Sequence, residues 1–257
     1  MIPVKSQREI ALLERANVIV REVLEILEKA VAPGVSTEDL DQIADSEIRK
    51  RGALSAFKGY HGYPKTLCAS VNDEVVHGIP NRKRKLAAGD IIGLDLGAIV
   101  EGYYGDAAVT VGVGRISEEA RKLIDATRDS LHQGIASAVP GKPLNNIGMA
   151  VQNFAEAKGY GVVRDYVGHG VGTALHEEPQ VPNYWPGRPG PNLREGMVLA
   201  IEPMLNLGTS RTAVDPDGWT VRTADGKLSA HFEHSIVITQ DGAKILGSPA
   251  MVEVVSR

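Results

Sequence analysis

The sequence predicts a fold of the α/β or α+β class, built from two related halves that each bring two helices to a sheet. Three observations carry that prediction. Aliphatic residues are plentiful and aromatics few, at 43% hydrophobic against 5% aromatic, which is the usage of an ordinary globular chain. The 257 residues are enough to bury a sizeable core. Landmarks then recur at a constant displacement of 107 residues: Pro33-Gly34 against Pro140-Gly141, Gly52 against Gly159, and Gly89 against Gly196.

The elements follow in order. Ser6 and Glu9 have capping-box spacing, and Ile10, Leu13, Ala16, Val20, Val23, Leu24 and Leu27 continue at helical spacing until Pro33-Gly34. Ser36 opens a second helix with the stripe Leu40, Ile43, Ala44 and Ile48, which runs to Gly52. In the second half, Ser117 and the two glutamates after it suit a helix N-terminus. Leu123, Leu131 and Ile135 lead to Pro140-Gly141, and Ile147, Val151 and Phe154 lead to Gly159. No linker separates the halves. The expectation is one catalytic domain over 1–257 with pseudo-twofold symmetry, its repeats lying at roughly 6–110 and 113–250.

Composition narrows the function. The net charge of −4 comes from mixed signs, with no basic stripe or RNA-binding motif, so nucleic acid is not the expected partner. The single cysteine, Cys68, excludes an intrachain disulfide framework and a multi-cysteine zinc site. No apolar run reaches the ~20 residues that cross a bilayer, and the first residues lack a secretory signal, so the cytoplasm is the expected location.

Four acids stand where acids are costly. Asp95 sits in the middle of "IIGLDLGAIV", which reads as a strand buried on both faces. Asp106 follows in "YYGDAAVTVGV", and "IVEG" between them reads as a hairpin turn that sets the two acids nearly opposite each other. Glu202, in "MVLAIEPML", meets Asp95 under the repeat, and Glu233 enters a strand containing Ile236, Val237 and Ile238. A buried carboxylate needs a cation, a proton or several donors. Four aimed at one core fit two divalent ions with bridging carboxylates better than one.

"VGHGVGTALHEEP" supplies an imidazole. The glycines around His169 let its backbone approach a site closely, which makes His169 a ligand candidate. The stretch is not GxGxxG, because Thr173 occupies the last position, and Gln180 breaks HExxH. No GxSxG nucleophile elbow occurs.

Together, "GYHGYPKTLCASVNDEVVHGIP", "GLDLGAIVEGYYGDAAVTV", "VGHGVGTALHEEPQVPNY", "MVLAIEPML" and "DGWTVRTADGKLSAHFEHSIVIT" resemble the type I methionine aminopeptidases over nearly the whole chain. The resemblance implies the α+β pita-bread fold, with helices packed on an antiparallel sheet and the metal site between the halves. It implies removal of the initiator methionine from peptides and nascent chains by a hydroxide bridging two divalent metals. By that resemblance Asp95 binds one metal, His169 and Glu202 bind the other, and Asp106 and Glu233 bridge them. Glu202 is then the general base, His176 contacts the substrate carbonyl oxygen, and His77 contacts the substrate near the scissile amide. Tyr60, Tyr63, Cys68, Leu175 and Trp219 take pocket-wall positions. Leu175 and Phe57 replace residues common in relatives, an aromatic and a cysteine, and bear on fine selectivity.

The remaining histidines stay outside the ligand set. His132 reads as solvated, His61 as pocket wall or structural, and His231 and His234 as partners orienting Glu233. The metals are Co, Mn, Fe or Zn, since O/N donors accept all four. The resemblance also implies a monovalent-cation site near Asn72 and Ser229. A monomer is expected, with a transient ribosome contact through surface charges. Two alternatives stand beside this reading. One is an Xaa-Pro aminopeptidase or prolidase of the same fold; the other is a metal-free pita-bread binding protein or creatinase-like hydrolase, in which broken ligands are expected.

Overall fold

The computed structural model describes residues 2–248; residue 1 and the last positions of the second repeat, 249–250, lie outside the described residues. Four helices form where the stripes predict them: α1 (Gln7–Ala30), α2 (Thr37–Lys50), α3 (Glu118–Ser137) and α4 (Asn146–Glu156). Ser6 and Glu9 cap α1 reciprocally, and Ser36 and Asp39 do the same for α2, so orphan backbone donors at both helix starts are satisfied. Ser117 accepts from the Ala120 amide at the start of α3. Asn145, before α4, makes no such cap; its side chain instead ties the Arg188 carbonyl.

The strands Leu54–Ser55, Ile91–Val100, Tyr103–Gly112, Glu233–Thr239, Val198–Ile201, Gly168–Gly170 and Glu177–Val181 lie side by side in that order. Leu67–Val71 joins Ile91–Val100, and Gly242–Ile245 joins Glu233–Thr239, which makes a nine-stranded sheet whose paired neighbours are all antiparallel. Two three-stranded sheets sit beside it. No described helix is long and apolar enough to cross a membrane.

Each half has its own core. Val20, Leu24 and Leu27 of α1 and Leu40 and Ile48 of α2 pack on Ile92, Leu94, Leu96 and Ala98. Leu123 and Leu131 of α3 and Ile147 of α4 pack on Leu199, Ile201, Ile236 and Ile238. Burying each of these valine, leucine and isoleucine side chains is worth about 1.5–3 kcal/mol. The displaced glycine pairs 34/141, 52/159 and 89/196 all have positive φ, so each pair marks the same sharp turn in both halves.

Alternation places the site. In Ile91–Val100 the even-numbered residues face the helices, and Gly93, Asp95, Gly97 and Ile99 face the other way. The register carries that second face across the sheet. Cys68 pairs with Asp95, Asp95 with Ala108, and Ala108 with Glu233. The hairpin turn is Glu101-Gly102, both at positive φ, since Val100 pairs with Tyr103. Asp106 therefore pairs with Gly97 and not with Asp95. The two acids are diagonal neighbours, which corrects the expectation that they stand opposite.

Candidate metal centre and substrate pocket

Four of the five candidate donors come from the helix-free face of the sheet. Asp95 and Asp106 arrive on the hairpin, Glu233 opens its strand, and His169 pairs with Ala200. Glu202 follows directly on Val198–Ile201 and turns at Pro203. Asn183, fully buried, donates to the Glu202 carbonyl at 3.0 Å and holds that strand end.

The glycines beside His169 work differently from the sequence reading. Gly168–Gly170 is a short strand, bulged between His169 and Gly170, between two neighbours. A Cβ on Gly168 would lie 2.3 Å from the Ala200 carbonyl oxygen, and one on Gly170 would lie 2.3 Å from that of Glu178. The glycines let three strands crowd together, and the crowding aims the imidazole.

One ligand atom each from Asp106, His169 and Glu233 lie within 4.8 Å of one another, and all three residues are buried. His169 Nε2 is 3.7 Å from Asp106 Oδ2 and 3.5 Å from Glu202 Oε1. Nδ1 of the same ring lies 3.0 Å from the Gly170 carbonyl oxygen, which can only accept. The ring proton is thus on Nδ1, and a bare Nε2 lone pair faces carboxylates. Asp95 Oδ1, Asp106 Oδ1 and Glu233 Oε1 are buried with no hydrogen-bond partner. Burial pushes the Asp95 carboxyl up to about 7. It drives Asp106, Glu202 and Glu233 well above the ordinary carboxylate range, with their mutual repulsion adding to the effect. Burial, with His176 alongside, lowers His169 to about 3. Lone pairs and orphaned acid oxygens pointed at one another need positive charge between them. The residues fit divalent cations, and oxygen donors with one imidazole suit first-row metals.

A cavity of about 160 Å³ opens on these donors, lined by Phe57, Tyr60, Tyr63, Cys68, His77, Leu175, His176 and Trp219 among others. A water takes about 30 Å³, so the space suits one medium-sized side chain. Tyr63 donates to the Leu67 and Gly78 carbonyls at 3.0 and 3.1 Å and packs edge-on to Trp219. Asp217 accepts from the Trp219 and Thr220 amides and fixes the loop that presents Trp219. Cys68 is buried, and burial raises its thiol well above the usual range, so it is packing and not a nucleophile. His77 has φ of 61°, and its ring lies edge-on to Tyr166 and Trp219. Burial lowers it to about 4. His176 is exposed at the mouth, its ring 4.2 Å from that of His169 between centroids.

The other histidines fall as follows. His132 is exposed on α3, and His61 is exposed at the rim, edge-on to Tyr60. His234 points to the helix side and sits 6.3 Å from the His132 ring, so it does not orient Glu233. His231 is buried with its Nε2 unpartnered, and its backbone bonds Thr110 instead. Two contacts that brace the backbone around the site escaped sequence reasoning. Asn183 is one; the other is Lys5, whose ammonium meets Glu177 at 2.5 Å while the same carboxylate accepts from the Thr173 and Ala174 amides.

Fold and site together define a metal-dependent hydrolase whose donors straddle two similar halves. The chain belongs to metallopeptidase family M24, whose sequence model matches residues 11–240. Within that family its similarity is to methionine aminopeptidases. It is 51% identical to the methionine aminopeptidase of Clostridium acetobutylicum over 248 residues, which cover 96% of this chain and 98% of that one. It is 50% identical to methionine aminopeptidase 1 of Bacillus subtilis, with 96% and 99% covered. The crystal structure of methionine aminopeptidase from Thermotoga maritima matches with a TM-score of 0.94 at 44% identity, covering 96% of this chain and all of that one. The fold is therefore the pita-bread fold. Prolidase from Pyrococcus furiosus shares that fold, with a TM-score of 0.77 at 23% identity.

Proposed function

We propose that this chain is a metal-dependent aminopeptidase that removes N-terminal methionine from peptides and nascent chains. The observation that carries this is the pocket itself: an apolar cavity of one side chain's size that ends on buried, unpartnered carboxylates. Asp95, Asp106, His169, Glu202 and Glu233 would hold two divalent ions. When bound, the ions supply a water acidified toward hydroxide near neutral pH and polarise the scissile carbonyl.

The chain's own residues do the rest. Phe57, Tyr63, Cys68, Leu175 and Trp219 exclude water from the methionine side chain, whose flexible thioether suits a mixed aromatic and aliphatic wall. Glu202, raised by burial, is suited to take a proton and return it to the leaving amine. His176 donates a hydrogen bond to the substrate carbonyl oxygen as negative charge develops there. His77, kept neutral by burial, contacts the scissile amide. The chain, 1–257, acts as one catalytic unit, as a monomer in the cytoplasm. Nascent chains reach it through a transient ribosome contact.

The test is hydrolysis of Met-Ala-Ser against Leu-Ala-Ser by protein reconstituted with Mn, Co, Fe or Zn, alongside a chelated control and Asp106→Asn. Selective methionine release that both controls abolish is the expected result. No release with metal demonstrably bound would overturn the proposal.

A further inference from the structure

Two imidazoles meet between the donor set and the pocket mouth, their ring centroids 4.2 Å apart, and each has its Nδ1 engaged by a different kind of partner. Nδ1 of His169 faces a carbonyl, while Nδ1 of His176 lies 2.7 Å from the Tyr60 hydroxyl. A carbonyl can only accept, whereas a phenol can donate. We propose that Tyr60 donates its hydroxyl proton to Nδ1 of His176 and so fixes that ring as the Nε2–H tautomer, the opposite of its neighbour His169. One histidine then offers a lone pair to a cation, and the next offers an N–H to the substrate carbonyl. This rests on the reading of His176 as the carbonyl-oxygen donor.

The reverse arrangement has a cost. If His176 donated from Nδ1, the phenol proton would lose its acceptor, since Tyr60 Oη has no other hydrogen-bond partner among the described residues. Donation by Tyr60 removes that cost. The phenol keeps its proton for that purpose, because burial raises its pKa from the ordinary value.

Tyr60 is also held in place. It starts a short 3₁₀ turn, its amide donates to the Phe57 carbonyl, and its carbonyl accepts from Tyr63. Its ring lies against both His61 and His176. Tyr60 is thus a positioning residue that acts through His176, in addition to its place in the pocket wall.

The test is nitrogen-15 NMR of histidine-labelled, Zn-loaded full-length protein, with His176 assigned by its loss in His176→Ala. The expected result is a protonated Nε2 and an accepting Nδ1 in His176. Tyr60→Phe keeps the ring packing and removes only the hydroxyl. It should shift the tautomer ratio about two- to tenfold, the worth of one hydrogen bond, and lower kcat on Met-Ala-Ser by a similar factor with KM little changed. An Nδ1–H tautomer in the unmodified protein, or an unchanged ratio in Tyr60→Phe, would overturn the proposal. A Zn-loaded protein that releases no methionine would count against the aminopeptidase reading, and the tautomer pattern would still decide this one.

Discussion

Asp95 and Asp106 stand diagonally across one β-ladder, Asp95 facing Ala108 and Asp106 facing Gly97. Residues directly opposite are roughly 4.5–5.5 Å apart, where two carboxylates would repel; diagonal ones are roughly 7–8 Å apart. The two-residue stagger keeps both on one face and leaves room for cations between them. The small residues opposite, Ala108 and Gly97, keep that room open.

The stagger makes the two acids unequal. Asp106 belongs to the tight trio with His169 and Glu233, whereas Asp95 stands outside it. Asp95→Asn should therefore release about one equivalent of metal per chain and Asp106→Asn both, with activity falling by on the order of a hundredfold or more in each. Metal per chain after gel filtration, read by mass spectrometry, checks this. Equal loss from the two variants would contradict it.

Metal and protons compete at this site. Burial raises all four carboxyls, Asp95 to about 7, so the metal-free folded chain holds protons that the unfolded chain has lost. For an acid raised on folding, stability is fully present below the unfolded value and falls as pH rises through the folded one. The metal-free protein should lose stability from pH 5 to 8, and the gain in Tm on adding Mn should grow over the same range. Calorimetry in chelator and in Mn at pH 5.5, 7 and 8 measures both trends. A metal-induced gain that shrinks as pH rises would show that the acids do not bind the ion.

Much of this was legible in the sequence, for reasons specific to particular residues. The helices could be read because Ser6, Ser36 and Ser117 and the apolar stripes act locally. The hairpin could be read because it is local too, although a turn placed one residue off moved Asp106 to the wrong partner. The run 91–100 looked buried on both faces, yet Gly93, Asp95 and Gly97 already alternate with Ile92, Leu94, Leu96 and Ala98. That period of two separates a small, polar site face from a helix-packed one. The links of Lys5 to Glu177, Asn183 to Glu202 and Tyr60 to His176 span 172, 19 and 116 residues, and no local pattern announces them.

The Lys5–Glu177 pair shapes the loop that carries Leu175 and His176. Both side chains are nearly buried, and Glu177 also anchors the Thr173 and Ala174 amides. Glu177→Gln strands the Lys5 charge, which costs about 3–5 kcal/mol when a buried pair is broken. Tm should fall by several degrees, and kcat should drop more than KM as His176 loses its place. Lys5→Met combined with Glu177→Gln should recover part of the Tm, because no buried charge is then unpaired. Thermal melts and Met-Ala-Ser kinetics on the three variants test this, and additive losses in the double variant would refute the pairing.

Gly168 and Gly170 connect backbone crowding to metal binding most directly. A methyl on either meets a neighbouring strand's carbonyl oxygen at 2.3 Å, and these carbonyls are fixed by the sheet. Gly168→Ala should force the strand apart, with an overpacking cost of about 1–3 kcal/mol, and swing His169 off the donor set. Gly187→Ala is the comparison, since Gly187 has φ of 80° with nothing within 4 Å of an added Cβ. There the cost is conformational only, about 1 kcal/mol, and it falls outside the Gly168–Gly170 strand. The expected outcome is a lower Tm in both variants and a lower metal content in Gly168→Ala alone. Full metal content and an unchanged Tm in Gly168→Ala would show that the strand can relax, and the glycines would then need another explanation.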